Sequence, residues 1–574
     1  MTAPKRRKPD PQTTMFDDNE QKPSSYQYAI FKAIATSRRN LYVRARAGTG
    51  KTWTIVKSLE YVSPKARVAF FAFNKAIVEA LRERAPKGVR VCTLHSFGRS
   101  VIETEVVYNK GSHFDVDKRK TRRIVDDLYG GGEDAALGAV EGHPILDQAD
   151  VMGDLLSRAK DTLTEATVEA LDELADRFGF ELPPESPRVP WLCLACGTMT
   201  TNAIERCWST PTGKHDLPSP DSCVRLTGAA DDDPEAFDQR PQRAIFLEAA
   251  ARVLKRSEEV VGLIDYGDMC WLPIRLSMPI RQYDLVFVDE TQDLSPAQIE
   301  LLLRTVKPGG RVVVVGDPAQ CVYEFRGANL DTLEMLKSKL NAEEMILPIS
   351  YRCSQAVVRL AQEEVPDIEA RPDAPEGRVA HCKLEHLVKH ALPGDFVISR
   401  ANAPLVGVCW ELTRAGKRAL VKGTDIQGAL VSFIEDLADG KDDKKEVLEA
   451  LEKWREAELQ RLLKKKRSTT YTEDKYGCAK ELLTRAPTVQ DAMRSVRKLF
   501  ASDQKLEEDE DLRGEAIILG TTHKLKGLEA ERVWMLVDTY HREDGGEEAN
   551  CWYVAVTRAK HSLYLTHLPK KSDS

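Results

Sequence analysis

LYVRARAGTGKT, residues 41–52, joins an apolar strand pattern to a glycine-rich turn, and a helical pattern begins at about Lys51. A second apolar run, VAFFAF at 68–73, comes after that helical pattern. Strands that alternate with helices are typical of a parallel sheet with helices packed on its faces. The opening of the chain therefore predicts an α/β fold.

The turn itself, ARAGTGKT at 45–52, has the pattern of a phosphate-binding P-loop. Gly48 and Gly50 allow backbone amides to approach phosphate, and Lys51 supplies a positive charge to the β- and γ-phosphates. The Thr52 hydroxyl is a ligand for Mg²⁺. Ala45 stands where the usual pattern has its first glycine.

Two further apolar strands end in polar residues that fit the same chemistry. VFVDET at 286–291 places Asp289 and Glu290 at the end of a strand, and VVVVGDPAQ at 312–320 places Gln320 after the next. One carboxylate can bind the metal ion while its neighbour activates water, and Gln320 can sense the γ-phosphate. Later in the chain, YVAVTRAK at 553–560 presents Arg558, whose guanidinium could stabilise transition-state charge.

Composition limits the class of protein. The chain has 574 residues, 42% of them apolar and 30% charged, with a net charge of −7. That length predicts at least two large domains. No apolar run is long enough to cross a bilayer, and the basic N-terminus lacks the pattern of a secretory signal, so we expect a cytoplasmic protein without a membrane partner. Its scattered cysteines predict reduced thiols.

Taken in order, the motifs resemble those of UvrD/Rep-like superfamily 1 DNA helicases, from Tyr26 to about Thr566. The matching segments are YQYAIF (26–31), the P-loop, AFNKAI (72–77), TLHSFG (93–98), VDETQD (288–293), GDPAQCVYEFRGA (316–328), SYRC (350–353), TTHKLKGLE (521–529) and YVAVTRAK. The resemblance implies two RecA-like P-loop domains, ATP and Mg²⁺ as ligands, and 3′-to-5′ movement on single-stranded or tailed duplex DNA.

The resemblance also implies a role for particular residues. The catalytic set comprises Lys51, Asp289, Glu290, Gln320, Arg352 and Arg558. Nucleotide contacts are expected from Gln27, Ala47, Gly48, Thr49, Gly50, Lys51, Thr52, Tyr351 and Glu529, and Mg²⁺ contacts from Thr52 and Asp289. The nucleic-acid track is expected to include Phe73, Asn74, Thr93, His95, Tyr323, Phe325, Arg326 and His523.

Changes in composition along the chain predict the domain boundaries. Residues 1–25 are expected to be a disordered basic tail. The first RecA-like domain is predicted at 26–98 and 264–345, with a helical insertion at 99–263. The second is predicted at 346–425 and 510–568, with a small helical insertion at 426–509 that is reduced relative to large family members.

Several alternatives accompany this interpretation. The chain could be the motor subunit of a repair, nuclease or phage-defence complex, or an ATP- and DNA-binding switch that does not hydrolyse ATP. Cys193 and Cys196, with Cys207, His215 and Cys223 downstream, have partial zinc-site spacing. Because the second half lacks a tight pair and the first lies in an apolar run, burial as small hydrophobic side chains is favoured over structural zinc.

Overall fold

The computed structural model describes residues 22–72, 75–82, 84–129, 145–180, 182, 191–193, 199–200, 223–225, 243–322, 330–440, 443–464, 469–501 and 514–569. Phe73, Asn74, Tyr323, Phe325 and Arg326, all predicted on the nucleic-acid track, lie outside these ranges.

The first sheet has six parallel strands. In spatial order they are Glu343–Leu347, Leu41–Ala45, Val306–Gly316, Tyr283–Val288, Val68–Phe71 and Arg90–Cys92. Its central strands are continuous apolar runs because both faces are covered: Val312 and Val314 face one hydrophobic cluster, and Val313 and Val315 face another. The sheet continues past residue 345, where the sequence placed the end of the first domain.

Helices cover both faces of the first sheet. The helices that precede the strand Glu343–Leu347 in the chain, within the described ranges, are Ser25–Thr36, Lys51–Ser58, Lys75–Arg82, Leu94–Glu103, Lys120–Tyr129, Ala149–Thr162, Val168–Phe178, Arg243–Glu259, Tyr266–Arg275, Pro296–Arg304 and Leu330–Leu340. The segment 99–263 also contributes the short strands Asp115–Val116, Trp191–Cys193, Met199–Thr200 and Cys223–Arg225, and Leu263–Ile264 pairs with the first of these. Its described helices share one hydrophobic core with the sheet.

The first helix corrects the predicted tail. It begins at Ser25, inside the range 1–25, because Ser24 and Gln27 form a capping box: Gln27 N donates to Ser24 Oγ at 3.2 Å, and Ser24 N donates to Gln27 Oε1 at 2.9 Å. Residues 1–21, including the basic run at 5–8, lie outside the described ranges.

The second sheet has seven parallel strands. Their spatial order is Arg378–Lys383, Ala559–His567, Ala530–Leu536, Phe396–Ser399, Ile517–Thr521, Ala419–Lys422 and Phe500–Ala501. The last strand comes from the range predicted as the second insertion, 426–509, and pairs with Val421 and Lys422. That segment therefore joins the sheet at its edge.

The helices of the second half are Gln355–Ala361, Leu384–His390, Ala403–Arg414, Thr424–Ala438, Lys444–Lys464, Thr470–Arg485, Val489–Leu499, Thr522–Leu525 and Gly546–Val556. Those between 424 and 499 share a hydrophobic cluster with one face of the second sheet. The cluster on the opposite face also contains Ala47 and Val322, which follow strands of the first sheet. The two sheets thus meet at the P-loop.

Candidate active site at the junction of the two sheets

Two pairs of side chains link the P-loop helix to the end of the strand Tyr283–Val288. Lys51 Nζ lies 2.9 Å from Glu290 Oε2, and Thr52 Oγ1 donates to Asp289 Oδ2 at 2.8 Å. The parallel sheet produces this arrangement because the carboxyl ends of its strands, and the loops that follow them, share one edge. The structure therefore brings together four side chains predicted from separate motifs.

Both P-loop glycines are required by the backbone. Gly48 and Gly50 have φ of +71° and +72°, in the left-handed region that favours glycine. A Cβ on Gly48 would lie 2.5 Å from Arg352 Cβ and 2.8 Å from Ser350 Oγ. Tyr351 N donates to Gly48 O at 2.8 Å. Glycine at position 48 thus allows the segment 350–352 to approach the P-loop.

Burial and mutual charge set the protonation of the acidic pair. Burial, reinforced by the negative charge of Glu290, raises the pKa of Asp289 above its usual range. Burial also acts to raise the pKa of Glu290, but the nearby ammonium groups of Lys51 and Lys526 outweigh it and lower that pKa. Glu290 therefore stays ionised.

The backbone of Glu290 is itself unusual. Its φ of +51° lies in the left-handed region that residues other than glycine rarely adopt. Gln292 Nε2 donates to Glu290 Oε2 at 2.5 Å, so the carboxylate is held from two sides, by Lys51 and by Gln292. Local strain of this kind persists where the surrounding contacts fix one orientation.

Gln27 and Gln320 have polar partners beside the P-loop. Gln27 Nε2 donates to Thr54 Oγ1 at 3.0 Å, which ties the first helix to the P-loop helix. Gln320 Nε2 donates to Asp317 Oδ2 at 2.7 Å. Ala47 and Thr49 are buried within the loop, where Thr49 Oγ1 donates to Arg46 O at 2.9 Å.

Arg352 and Glu529, predicted to contact different parts of the nucleotide, form an ion pair. Glu529 Oε1 also lies 3.2 Å from Lys560 Nζ, and Arg352 Nη1 donates to Thr557 O at 3.4 Å. Burial acts to raise the pKa of Glu529, but the positive charges of Arg352, Lys560 and Arg558 together outweigh it and lower that pKa. A negative group arriving at Arg352 would therefore compete with Glu529.

Arg558 is only 1% exposed. Its Nε donates to Val554 O at 2.9 Å, its Nη1 to Leu528 O at 3.2 Å and its Nη2 to Thr557 Oγ1 at 3.3 Å. Burial and then repulsion from Arg352 lower the pKa of Arg558 to about 10. The guanidinium is thus held by groups of its own half of the chain, next to Arg352.

Contacts between the two halves include residues that the sequence analysis did not select. Lys526 Nζ lies 2.6 Å from Asp293 Oδ2 and donates to Gln320 O at 2.8 Å. Tyr553 OH accepts from Ala47 N at 3.0 Å. Both Lys526 and Asp293 stand within the quoted motifs, TTHKLKGLE and VDETQD, but no pattern there indicates that they pair.

A second set of missed residues surrounds Arg46, inside the P-loop. The Arg46 side chain is 9% exposed, and its guanidinium contacts Asp317 from the first half and Asp367 from the second. Tyr553 OH also donates to Asp317 Oδ2, at 3.4 Å. No pattern in the sequence indicates that Arg46 pairs with these two carboxylates.

The described part of the predicted nucleic-acid track is divided between the two halves. Thr93 caps helix Leu94–Glu103 by accepting from Ser96 N at 3.1 Å, and burial lowers the pKa of His95. His523 Nε2 lies 3.2 Å from Glu547 Oε1. Their contact with nucleic acid stays a prediction.

Of the cysteines considered for zinc, Cys193 and Cys223 lie on adjacent antiparallel strands, where their Cα atoms occupy paired positions. Cys196, Cys207 and His215 lie outside the described ranges. No helix within those ranges is both long and apolar enough to cross a membrane.

The two parallel sheets, each flanked by helices and joined at a P-loop, are the architecture of two RecA-like domains. The family model for the UvrD/REP helicase N-terminal domain matches residues 27–341, and that for the UvrD-like helicase C-terminal domain matches residues 412–570. The chain belongs to the UvrD/REP helicase family, as its motifs indicated.

Sequence identity to individual relatives is low. The chain is 25% identical over 349 residues to the RecBCD enzyme subunit RecB of Mycobacterium tuberculosis, which covers 57% of this chain and 29% of the relative. It is 23% identical over 584 residues to F-box DNA helicase protein 1 of Schizosaccharomyces pombe, covering 94% and 57% respectively. ATP-dependent DNA helicase PcrA of Leuconostoc citreum is 33% identical over 117 residues, 19% of this chain and 15% of the relative. The matches thus span only part of each relative.

Proposed function

We propose that this protein is an ATP-dependent translocase on single-stranded DNA and a 3′-to-5′ DNA helicase. One observation carries the proposal: the P-loop, which belongs to the first half of the chain, contacts the second half through Gly48 against Arg352 and through Ala47 against Tyr553. A nucleotide held there would touch groups from both sheets, so its binding and loss would change how the halves fit together.

The residues present suit ATP and Mg²⁺. The Thr52 hydroxyl and the Asp289 carboxylate, 2.8 Å apart, are the hard oxygen ligands that Mg²⁺ prefers, and they would hold it. The ion would supply charge neutralisation to the phosphates. Gln27 and Tyr351 are proposed beside the adenine, Glu529 beside the ribose, and the backbone from Ala47 to Thr52 around the phosphates.

Hydrolysis is assigned to a small set of side chains. The Glu290 carboxylate, ionised and held by Gln292, would accept a proton from the attacking water. Lys51 would move from Glu290 to the phosphates, freeing that carboxylate. Gln320 is proposed to sense the γ-phosphate.

The two arginines of the second half complete the proposed site. Arg352 would exchange its Glu529 partner for phosphate oxygens, and the buried Arg558, whose charge interacts with that of Arg352, would add positive charge as the halves close. Both roles require the second half to approach the nucleotide. Hydrolysis would therefore depend on the relative position of the two sheets.

For DNA binding we retain Thr93, His95 and His523, with Phe73, Asn74, Tyr323, Phe325 and Arg326. We also propose the division into two RecA-like domains, 26–98 with 264–345 and 346–425 with 510–568, carrying insertions at 99–263 and 426–509. The first domain then extends to Leu347, and the strand Phe500–Ala501 belongs to the second. The basic tail, ending before the helix that begins at Ser25, and a cytoplasmic location remain proposals as well.

A second candidate is the motor subunit of a repair, nuclease or phage-defence complex. The similarity to RecB, named as a subunit of the RecBCD enzyme, favours it over a chain that acts alone. In that case translocation without unwinding would be the output of the isolated protein.

The test is the ATPase rate with and without single-stranded DNA, followed by unwinding of duplexes that carry a 3′ or a 5′ tail. We expect stimulation by DNA and unwinding from the 3′ tail only. Lys51→Ala should lose nucleotide affinity and turnover together, because it removes the charge that neutralises the phosphates. If the wild-type protein binds ATP but does not hydrolyse it, the result would support the non-hydrolysing ATP- and DNA-binding switch. If DNA stimulates its ATPase but no duplex is unwound, the result would support the motor subunit. Unwinding from a 5′ tail would contradict the direction.

A further inference from the structure

Three potential metal ligands converge beside the junction of the two sheets. Glu547 and Cys551 are four residues apart on helix Gly546–Val556, so they lie on the same helical face, and His523 comes from helix Thr522–Leu525. His523 Nε2 lies 3.2 Å from Glu547 Oε1 and 3.9 Å from Cys551 Sγ. All three ligand atoms lie within 4.8 Å of one another.

These separations are close to those of a tetrahedral zinc site. With Zn–N and Zn–O near 2.0–2.2 Å and Zn–S near 2.3 Å, tetrahedral ligand atoms lie roughly 3.3–3.7 Å apart. The two measured distances fall just below and just above that range. The third separation, between Glu547 and Cys551, is at most 4.8 Å, so side-chain rotations that bring these two ligand atoms together would complete three corners of the tetrahedron.

Burial and charge also suit a dication. Cys551 is fully buried, whereas the side chains of His523 and Glu547 are 17% and 23% exposed, so an ion could reach the thiol past those two ligands. The Arg400 cation, which acts on Cys551, has its Nη2 2.8 Å from Glu548 Oε1, so Glu548 offsets part of that positive charge. A Cys551 thiolate and the Glu547 carboxylate would then supply two negative charges.

We propose that His523, Glu547 and Cys551 form a binding site for a zinc-class divalent cation, with water as the fourth ligand. Binding would release the thiol proton of Cys551 to solvent. It would also occupy His523 Nε2. If His523 contacts DNA, as in the proposed function, the bound ion would weaken DNA-stimulated ATPase.

The site can be tested with cobalt as the probe. The full-length protein is stripped of metal with a chelator, desalted and titrated with Co²⁺, while visible and near-ultraviolet absorption reports tetrahedral geometry and a thiolate-to-cobalt charge-transfer band. We expect Cys551→Ala to bind one ion fewer than the wild type. Cys409→Ala, which changes a buried cysteine on helix Ala403–Arg414, should bind the same number as the wild type.

A second pair of variants avoids the buried core. Glu547→Gln should weaken Co²⁺ binding about tenfold or more, whereas Glu543→Gln, at an exposed carboxylate of the preceding turn Arg542–Asp544, should not. Equal stoichiometry and affinity in the wild type, Cys551→Ala and Glu547→Gln would overturn the proposal. Because metal binding is read by absorption, this failure is distinguishable from a failure of the helicase assignment, which would appear as an ATPase that DNA does not stimulate.

Discussion

Arg46 of the P-loop and Asp367 of the second half of the chain form a bidentate ion pair. Arg46 Nε lies 2.7 Å from Asp367 Oδ1, and Arg46 Nη2 lies 2.9 Å from Asp367 Oδ2. Arg46 Nη1 reaches Asp317 in the first half, at 2.9 Å. A single guanidinium thus joins the nucleotide loop to the strand end that carries Gln320 and to the opposite half.

Removing the charge of Asp367 should loosen this junction. We expect Asp367→Asn to lower the free energy of unfolding by about 1 kcal/mol, a modest amount because the Asp367 side chain is 38% exposed. DNA stimulation of the ATPase should fall with it. Denaturant unfolding and ATPase assays measure both, with Asp373→Asn, at an 80% exposed carboxylate, as the matched control. Equal effects of the two variants would contradict a junction role.

The same pair should make stability depend on pH. Burial acts to raise the pKa of Asp367, but the hydrogen bond and charge of Arg46 outweigh it and lower the pKa. Because the folded pKa is depressed, the stabilisation is present above the unfolded value of about 3.9 and is lost as pH falls through the folded pKa. The difference in melting temperature between wild type and Asp367→Asn should therefore shrink on going from pH 7 to below pH 4. A difference that grows in acid would refute this assignment.

Glu290→Gln should remove turnover while sparing nucleotide binding. The amide keeps the shape of the side chain but cannot accept a proton from water, so we expect kcat to fall by about 10²–10⁴. Nucleotide affinity measured by fluorescence titration should change little. The control is Glu300→Gln, which should retain turnover. Glu300 pairs with Arg304 within helix Pro296–Arg304, the helix that follows Glu290 in the chain. Wild-type kcat in Glu290→Gln would remove this residue from the mechanism.

Arg558→Ala should abolish DNA stimulation of the ATPase and leave single-strand affinity near the wild-type value. The variant should also lose about 1–3 kcal/mol of stability, because Val554 O and Leu528 O lose a donor. Arg532→Ala, which breaks an ion pair with Asp395 in the same sheet, controls for destabilisation alone. If both variants lose stimulation equally, Arg558 acts only through stability.

Lys526 and Asp293 should be energetically coupled. Asp293 is almost fully buried in this contact, so Lys526→Met leaves a carboxylate without its cation and should cost about 3–5 kcal/mol. Adding Asp293→Asn should recover part of the loss, with a coupling energy of about 1–3 kcal/mol in a double-mutant cycle. The exposed pair Lys337 and Glu344 is the control, with expected coupling below about 1 kcal/mol. Simple additivity of the two buried changes would exclude a direct interaction.

The sequence by itself determined the family, the two parallel sheets and the chemical types collected at the P-loop edge. It could do so because each of these features depends on residues that are close together in the chain. An apolar run of strand length makes Val312–Val315 a buried strand, and glycine at positions 48 and 50 permits a left-handed turn. Asp289 and Glu290 follow their strand directly, so their place at the sheet edge needs no long-range information.

Only the tertiary structure decided which charges meet. Arg46 and Asp367 are 321 residues apart, and Lys526 and Asp293 are 233 apart, so their pairing depends on how the two halves dock. Tertiary structure within the second half likewise brings His523, Glu547 and Cys551 together, because a strand end and a helix converge there. Ion pairs between distant segments have no periodic signature in the sequence, since their partners are selected by distance and burial rather than by spacing along the chain.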